Sequence, residues 1–159
     1  IVIPAVSSVK SHAYWQARAV SPNVHIRYQT PRGPRHGALI QVLADNSRGH
    51  TTPVVIVEGP MDALAVAECG YDALAFMGIN PGDKALAPLS PLVQKREALI
   101  VLDNEPFAQS AACGLALRLA STGLHSHIDR VRFVKDFAAM PVLTRKAWLN
   151  SRLDRKGAE

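Results

Sequence analysis

Two carboxylates follow an apolar run in the segment IVLDNEPFAQ, which occupies residues 100–109. Asp103 and Glu105 are two positions apart, and residues i and i+2 of an extended chain point to the same side. Like charges at this spacing repel each other, and a bound cation relieves that repulsion. The alternative is a solvated turn at the end of a strand. The choice depends on whether the fold brings further acids to the same place.

Further acids follow other apolar segments. Glu58 ends the apolar run of PVVIVEG, Asp62 comes about one helical turn later, and Asp136 lies near the end of DRVRFVKDF. Clustered carboxylates at strand ends hold the Mg²⁺-type cations of phosphoryl and nucleotidyl transfer. Asp62 has a second interpretation as an acid that favours a helix N-terminus. Asp136 has one as a surface acid next to Lys135.

The elements that must position these acids alternate along the second part of the chain. In chain order we predict a strand at 53–59, a helix at 60–70, strands at 72–78 and 97–105, a helix at 106–123 and a strand at 129–137. Pro60 suits a helix start, and Gly70 and Gly123 suit helix ends. Alternation of buried strands with helices predicts an α/β fold, a parallel sheet with helices on both faces.

In such a sheet, ligands bind beyond the carboxyl ends of the strands. Four acids fall at predicted carboxyl ends, namely Glu58, Asp103, Glu105 and Asp136. Three separate strands would therefore bring acid to one edge, which favours a metal site over a solvated turn.

The first 52 residues read as a basic, β-rich segment. Strands are predicted at 1–6, 13–20 and 24–30, followed by a Pro/Gly loop at 31–37. Four arginines in this segment are candidate contacts for phosphate groups: Arg18, Arg27, Arg32 and Arg35. Tyr14 and Trp15 could stack on a base, but we predict half-buried strand aromatics.

Charge is spread unevenly along the chain, whose net charge is +5. Residues 1–57 carry six Lys or Arg against one acid, and residues 142–159 carry five against two. Residues 58–141 carry ten acids against seven bases. An acidic middle between basic arms indicates a polyanion partner held around a cation site, and a generally basic surface is the alternative.

Several classes of protein are excluded by composition. No apolar run approaches the roughly 20 residues that span a membrane. Cys69 and Cys113 are isolated, so the chain has neither a zinc ribbon nor a disulfide framework, and we expect a reducing, cytoplasmic setting. Both cysteines fall on apolar helix faces and are predicted to be core. The HSH segment at 125–127 could bind a transition metal, but we predict a polar loop.

The segments VVIVEGPMDALAVAECGYDALAFMG and ALIVLDNEPFAQSAACGLALRL resemble the Toprim domain of primases, topoisomerases and nucleases. Glu58-Gly59 and Asp62-Ala63-Leu64 match the first part of its signature. Asp103 matches the first acid of the second part, Asp-x-Asp. Phage and plasmid primases are the most similar members, because AYWQAR…VHIRYQTPRG and VRFVKDF resemble the segments that flank their Toprim unit. The resemblance divides the chain into a β-rich segment (1–52), a Toprim domain (53–140) and a basic helical tail (141–159).

This resemblance implies a DNA primase that makes RNA primers on single-stranded DNA from NTPs, with Mg²⁺ or Mn²⁺. It implies that Glu58 is a metal ligand or general base, that Asp103 and Glu105 bind metals, and that Asp62 and Asp136 support them. The four arginines would contact template or triphosphate. Separate zinc-binding and helicase components are expected, in the cytoplasm of a bacterium or phage-infected cell, with this chain as one part of the enzyme.

Two departures from the family pattern leave alternatives open. Glu105 replaces the second Asp, and Pro106 and Phe107 stand where a basic or small residue is usual. A Toprim nuclease would use the same acids to hydrolyse a phosphodiester. A nucleic-acid-binding replication module with a degenerate acidic site is the third interpretation.

Overall fold

The computed structural model describes residues 1–5, 14–33, 38–45, 52–77, 86 and 96–153. The strands are β1 (Val2–Ala5), β2 (Tyr14–Arg18), β3 (Tyr28–Gln29), β4 (Ile40–Val42), β5 (Val54–Val57), β6 (Ala73–Ala75), β7 (Ala98–Val101) and β8 (Ser126–Ile128). The helices are α1 (Pro60–Glu68), α2 (Pro106–Ser121) and α3 (Val142–Leu153), with a 3₁₀ helix at Phe137–Ala139.

The main sheet has the strand order β4-β6-β5-β7-β8. Its last four strands are parallel, and β4 is antiparallel to β6 at the edge. All residues of β5 and β7 are buried, which is the pattern of a parallel strand covered on both faces. The two strands pair in register from Val54↔Ala98 to Val57↔Val101. The carboxyl ends of β5 and β7 therefore lie side by side.

Apolar side chains of the sheet alternate between two core layers, as the period of two in a strand requires. Val55 and Val57 belong to the layer that contains residues of α1, the 3₁₀ helix and α3. Val54 and Ile56 belong to the layer that contains the buried face of α2. Helices therefore cover both faces, and the predicted α/β class with a parallel sheet is confirmed.

Two helices begin immediately beyond the ends of β5 and β7. Gly59 is the N-cap of α1 and Glu105 is the N-cap of α2, and a proline follows each cap. Proline suits this position because its φ is already helical and its missing N–H would have no partner there. The helices stop before Gly70 and Gly123, both at positive φ. Glu58 and Asp103 therefore each lie between a buried strand and the start of a helix.

The predicted β-rich segment contains a three-stranded antiparallel sheet of order β1-β2-β3. β4 lies in the same part of the sequence but joins the main sheet, where Ile40 pairs with Ala75 and Val42 with Ala73. This strand was not predicted from the sequence pattern. Ile40 is fully buried, as is Leu39 just before it.

The strand predicted at 129–137 is wrong. The fourth parallel strand is β8, which lies three residues earlier and pairs with β7 from Ala98↔Ser126 to Ile100↔Ile128. His127 is accordingly a strand residue, and the prediction of a polar loop at 125–127 is wrong for the two positions that belong to β8.

Asparagine 104 explains why the apolar alternation of residues 131–134 does not form a strand. The backbone N–H of Asn104 donates to the carbonyl oxygen of Lys135 at 2.9 Å. Its side-chain Nδ2 donates to the carbonyl oxygen of Arg132 at 3.2 Å. These bonds hold the segment across the carboxyl end of β7 rather than alongside β8. Asp136 therefore does not follow a strand, contrary to the prediction, but is the N-cap of the 3₁₀ helix.

A buried ion pair closes the opposite edge of the sheet. Arg96 Nη1 lies 2.7 Å from Asp72 Oδ2, and both side chains are less than 10% exposed. Asp72 Oδ1 accepts from the backbone N–H of Ala44, and Arg96 Nε donates to the carbonyl oxygen of Thr52. The pair thereby connects the segments that flank β4, β5, β6 and β7.

Three smaller predictions have mixed outcomes. Cys69 is buried as predicted, but Cys113 is exposed because it lies on the outer face of α2. Tyr14 is buried in the core, which favours packing over base stacking. Within the described residues, no helix is long and apolar enough to cross a membrane.

Candidate functional site

Four acids line one open cleft at the carboxyl edge of the main sheet. Glu58 directly follows β5, Asp62 lies in the first turn of α1, and Asp103 comes two residues after β7. Asp136 reaches the same cleft from the cap of the 3₁₀ helix. The cleft has a volume of about 550 Å³. The convergence of Glu58, Asp62 and Asp103 follows directly from the parallel pairing of β5 with β7.

Glu58 is the most perturbed of these carboxyl groups. Burial raises its pKa from 4.5 to about 7, and repulsion from Asp103, Asp62 and Glu105 adds to the effect. Lys135 opposes the change because its positive charge favours the carboxylate. A carboxyl group with a pKa near neutrality exchanges protons readily at physiological pH. Such a group suits either a proton acceptor or a cation ligand.

Asp62 combines a structural bond with an unfavourable charge. It is only 8% exposed, and its Oδ1 accepts a 2.8 Å hydrogen bond from the backbone N–H of Ala138. Burial raises the pKa of Asp62 to about 6, and repulsion from Asp136 and Asp103 adds to this, whereas the bond from Ala138 acts in the opposite direction. The bond joins α1 to the 3₁₀ helix across the floor of the cleft.

Asp103 is fixed by the helix that follows it. Gln109 in the first turns of α2 donates from Nε2 to the backbone carbonyl oxygen of Asp103 at 3.0 Å. Burial raises the pKa of the Asp103 carboxyl, Asp136 and Glu105 raise it further, and Lys135 lowers it. The carboxylates of the cleft therefore repel one another, and this repulsion raises the pKa values of Glu58, Asp62 and Asp103.

Glu105 does not line the cleft. Its side chain is 60% exposed, and Oε1 lies 3.7 Å from Nζ of Lys135. Glu105 is the N-cap of α2, two residues after Asp103, and its carboxylate lies near Lys135, which lines the cleft. The structure thus separates the pair from which the sequence argument began: Asp103 faces the cleft, and Glu105 lies at its rim.

A second group of cleft residues, here called the basic wall, comes from the small sheet. Arg18 on β2 and Arg27, just before β3, line the cleft together with Tyr28. The Arg18 guanidinium carbon lies 5.3 Å from the centre of the Tyr28 ring, and Nη1 donates to its hydroxyl oxygen. Arg32 does not line the cleft, and Arg35 lies outside the described residues. Two of the four candidate arginines therefore line the same cleft as the acids.

Three polar residues of the cleft were not predicted from the sequence, namely Gln16, Tyr28 and Lys135. Gln16 lies two positions before Arg18 on β2, and this spacing could have placed both on one side of the strand. Its Oε1 is buried without a hydrogen-bond partner, the sole such side-chain atom among the described residues. Lys135 precedes Asp136 and was considered only as its neighbour.

The donor set fits a hard divalent cation. The acidic wall offers carboxylate oxygens only, and each perturbed carboxyl would be stabilised in its charged form by a cation. Across the described ranges, no three His, Cys, Asp or Glu side chains are close enough together to hold one ion. A Mg²⁺-type ion needs only one or two carboxylates from the protein, because water and substrate phosphates can supply its remaining ligands.

A sequence profile of the Toprim-like family matches residues 55–140, which is more than half of the chain. This match confirms the predicted Toprim unit. No curated protein is significantly similar to the chain in sequence.

Solved structures with this fold include domains of bacterial primases. The RNA polymerase domain of Mycobacterium tuberculosis primase DnaG is 22% identical with a TM-score of 0.63, over 89% of this chain and 50% of that one. The same domain in complex with double-stranded DNA has 22% identity and a TM-score of 0.66, over 97% of this chain and 52% of that one.

The zinc-binding and RNA polymerase domains of the Aquifex aeolicus primase are 14% identical with a TM-score of 0.59, over 92% of this chain and 40% of that one. The chain thus spans about half, or less, of the length of these primase structures. It belongs to the Toprim-like family, and its fold is that of the RNA polymerase domains of bacterial primases.

Proposed function

We propose that the chain is the catalytic Toprim segment of a DNA primase, which synthesises RNA primers on single-stranded DNA by metal-dependent nucleotidyl transfer. The observation that carries the proposal is the pairing of an acidic wall, made by Glu58, Asp62 and Asp103, with a basic wall that contains Arg18 and Arg27. A triphosphate bound in this cleft would have both guanidinium groups and carboxylates within the same lining. The likeness to primase structures supports this assignment at the level of the fold.

Glu58 has the properties of the proton acceptor. Its pKa of about 7 means that a large fraction of Glu58 is ionised at neutral pH, and the carboxylate can then accept the proton of an attacking hydroxyl group. Asp103 would hold Mg²⁺ or Mn²⁺ together with one further cleft carboxylate, that of Asp62, Glu58 or Asp136, and water and substrate phosphates would complete the ligand set. Such a cation, when bound, neutralises phosphate charge and stabilises the attacking and leaving oxygens.

Arg18 and Arg27 would orient the triphosphate, because a guanidinium group forms two parallel hydrogen bonds to phosphate oxygens. Lys135, held between the rim carboxylate of Glu105 and the cleft, adds a third positive charge. The contribution of these residues is positioning and charge neutralisation rather than covalent chemistry.

The position of Glu105 favours a second candidate, a nucleic-acid-binding replication module that has lost catalysis. Glu105 lies outside the cleft and is exposed. This acid of the family signature therefore affects the charge of the cleft only from a distance. A Toprim nuclease would use the same cleft and differs from both candidates in its products.

The test is Mn²⁺ binding in the presence of ATP, comparing the chain with the double variant Asp103→Asn plus Glu105→Gln. Saturable binding that the double variant loses supports the primase and the nuclease. Equally weak binding by both proteins would favour the binding module. Incubation with NTPs and a single-stranded template then separates the two enzymes, because a primase lengthens product and a nuclease shortens nucleic acid.

The proposal extends to the other components with which a primase acts. The Aquifex aeolicus structure contains a zinc-binding domain. We infer that a zinc-binding component and a helicase act with this chain in the cytoplasm. Primer-synthesis assays should therefore be run with candidate partner proteins present.

A further inference from the structure

Loop 130–135 presents an aromatic side chain to solvent. Phe133 is 97% exposed, more than any other large hydrophobic residue in the described part of the chain. A phenylalanine in this position gains nothing from burial on folding, although the ring is among the side chains that benefit most from leaving water. Its exposure therefore requires a reason other than the stability of the domain.

The loop is held in place on its inner side. Val131 is buried, and Val134 packs against the same core layer. Asn104 binds the carbonyl oxygens of Arg132 and Lys135, on either side of the ring. The backbone that carries Phe133 is thus fastened at four points to the carboxyl edge of the sheet. A ring presented by a fastened backbone loses little further freedom when it binds a ligand.

The loop is also positively charged. Arg130 and Arg132 are exposed, and within the described residues neither guanidinium has an acidic partner. The neighbouring Asp129 carboxylate is paired instead with Arg152, at 2.9 Å. Two available guanidinium groups on either side of Val131, next to a free aromatic ring, fit a ligand that has both phosphates and flat rings.

The loop leads directly into the acidic cleft. Lys135, its last residue, and the adjacent Asp136 line that cleft. Three residues after Asn104 in the sequence, the first turn of α2 carries a second exposed ring, that of Phe107, which is 68% exposed. A strand lying along this edge would pass from the rings to the carboxylates without leaving the surface.

We propose that loop 130–135 is a contact site for single-stranded nucleic acid, in which Phe133 stacks on a base and Arg130 and Arg132 bind the flanking phosphates. The inference rests on the proposed function and names where the template meets the catalytic edge. Stacking on an aromatic ring tolerates any base, and the phosphate contacts are independent of sequence, so this contact holds the strand without reading it.

The test is fluorescence anisotropy with a labelled 12-nucleotide oligodeoxythymidylate and the whole chain. Phe133→Ala should weaken binding by about five- to 150-fold, the range typical for loss of one stacked base. Phe133→Trp should keep the wild-type affinity because it retains a stacking surface. Leu143→Ala is the matched control, because Leu143 is also exposed (84%) but lies on α3, away from the loop.

Salt dependence tests the phosphate contacts separately. Arg132→Gln should reduce the slope of log K against log salt by about 0.7, the value for one phosphate contact to a single strand. Since neither Phe133 nor Arg132 is buried, the variants should unfold at the wild-type temperature, and a melting curve checks this.

Three results would overturn the inference. The first is that the wild-type chain shows no measurable oligonucleotide binding, and the second is that Phe133→Ala binds the oligonucleotide as tightly as wild type. The third result is that Phe133→Ala alters only the self-association of the chain. The last result, seen by sedimentation, would make the loop a protein contact. Mn²⁺ binding by the same variants keeps the two proposals apart. If Mn²⁺ does not bind but Phe133-dependent binding of the oligonucleotide persists, the proposed catalysis fails and this contact stands.

Discussion

Replacement of Glu58 by glutamine should stabilise the metal-free protein at alkaline pH. The pKa of Glu58 is raised from 4.5 to about 7 in the folded chain. The folded state therefore binds the proton more tightly than the unfolded state does. Ionisation of Glu58 consequently lowers the free energy of unfolding. Stability is retained below pH 4.5 and is lost as the pH rises toward 7.

The magnitude follows from the two pKa values. A tenfold change in an acid constant corresponds to about 1.4 kcal/mol, so full ionisation of Glu58 costs the folded state about 3 kcal/mol at most, and about 1–3 kcal/mol because water screens a partly exposed carboxylate. Glu58→Gln keeps the shape of the side chain without its charge. We expect it to raise the free energy of unfolding by about 1–3 kcal/mol at pH 8.5 and by less than about 0.5 kcal/mol at pH 4.5. In a chain of this size the first value corresponds to about 2–12 °C in melting temperature.

The assay is urea denaturation with EDTA present, at both pH values. Glu68→Gln is the matched control: Glu68 lies on α1, but its side chain is 54% exposed and paired with Arg145 at 3.0 Å. Removal of that surface pair should cost less than about 1 kcal/mol and has the opposite sign. Added Mn²⁺ should reduce the difference in the free energy of unfolding between Glu58→Gln and wild type. A cation that binds only the folded wild-type protein stabilises the wild-type protein. A neutral or destabilising effect of Glu58→Gln at pH 8.5 would refute the reasoning.

Three further predictions concern other parts of the molecule. Asp62→Ala should be less stable than Asp62→Asn by about 1–3 kcal/mol in urea denaturation, because only asparagine keeps the acceptor for Ala138; equal stability would contradict a role for that bond. Asp72→Asn should lower the free energy of unfolding by about 3–5 kcal/mol, since it leaves the buried Arg96 charge unpaired, and a loss below about 1 kcal/mol would show that this ion pair does not clamp the sheet. Arg18→Gln should weaken Mn²⁺-ATP binding about tenfold or more by calorimetry, whereas Arg32→Gln, outside the cleft, should leave it unchanged; equal effects would remove Arg18 from the proposed site.

The sequence predicted the central part of the fold because β5, β7 and their helices carry strong local signals. Continuous buried apolar runs, a proline at each helix start and a glycine after each helix end all favour the same arrangement. These signals are local, and parallel pairing then dictates that Glu58 and Asp103 are neighbours.

The errors occurred where tertiary contacts override the local pattern. Residues 131–134 alternate like a strand, but the bonds from Asn104 hold them across the sheet end, and no local rule predicts that. β4 is only three residues long and depends on its partner β6. The outward position of Glu105 depends on the start of α2 and on Lys135, which is distant in sequence. The basic wall required the small sheet to fold toward the acids, a placement that composition does not specify.

The antiparallel strand β4 has a practical consequence for dividing the protein into pieces. It covers the outer edge of β6, with Ile40, Gln41 and Val42 each paired to a residue of that strand. A fragment that began at residue 53 would keep the acidic residues but leave the backbone of β6 with open hydrogen-bonding positions. Uncovered strand edges of this kind pair with other molecules and aggregate. A shorter fragment for biochemical work should therefore begin before residue 38, even when only the acidic cleft is under study.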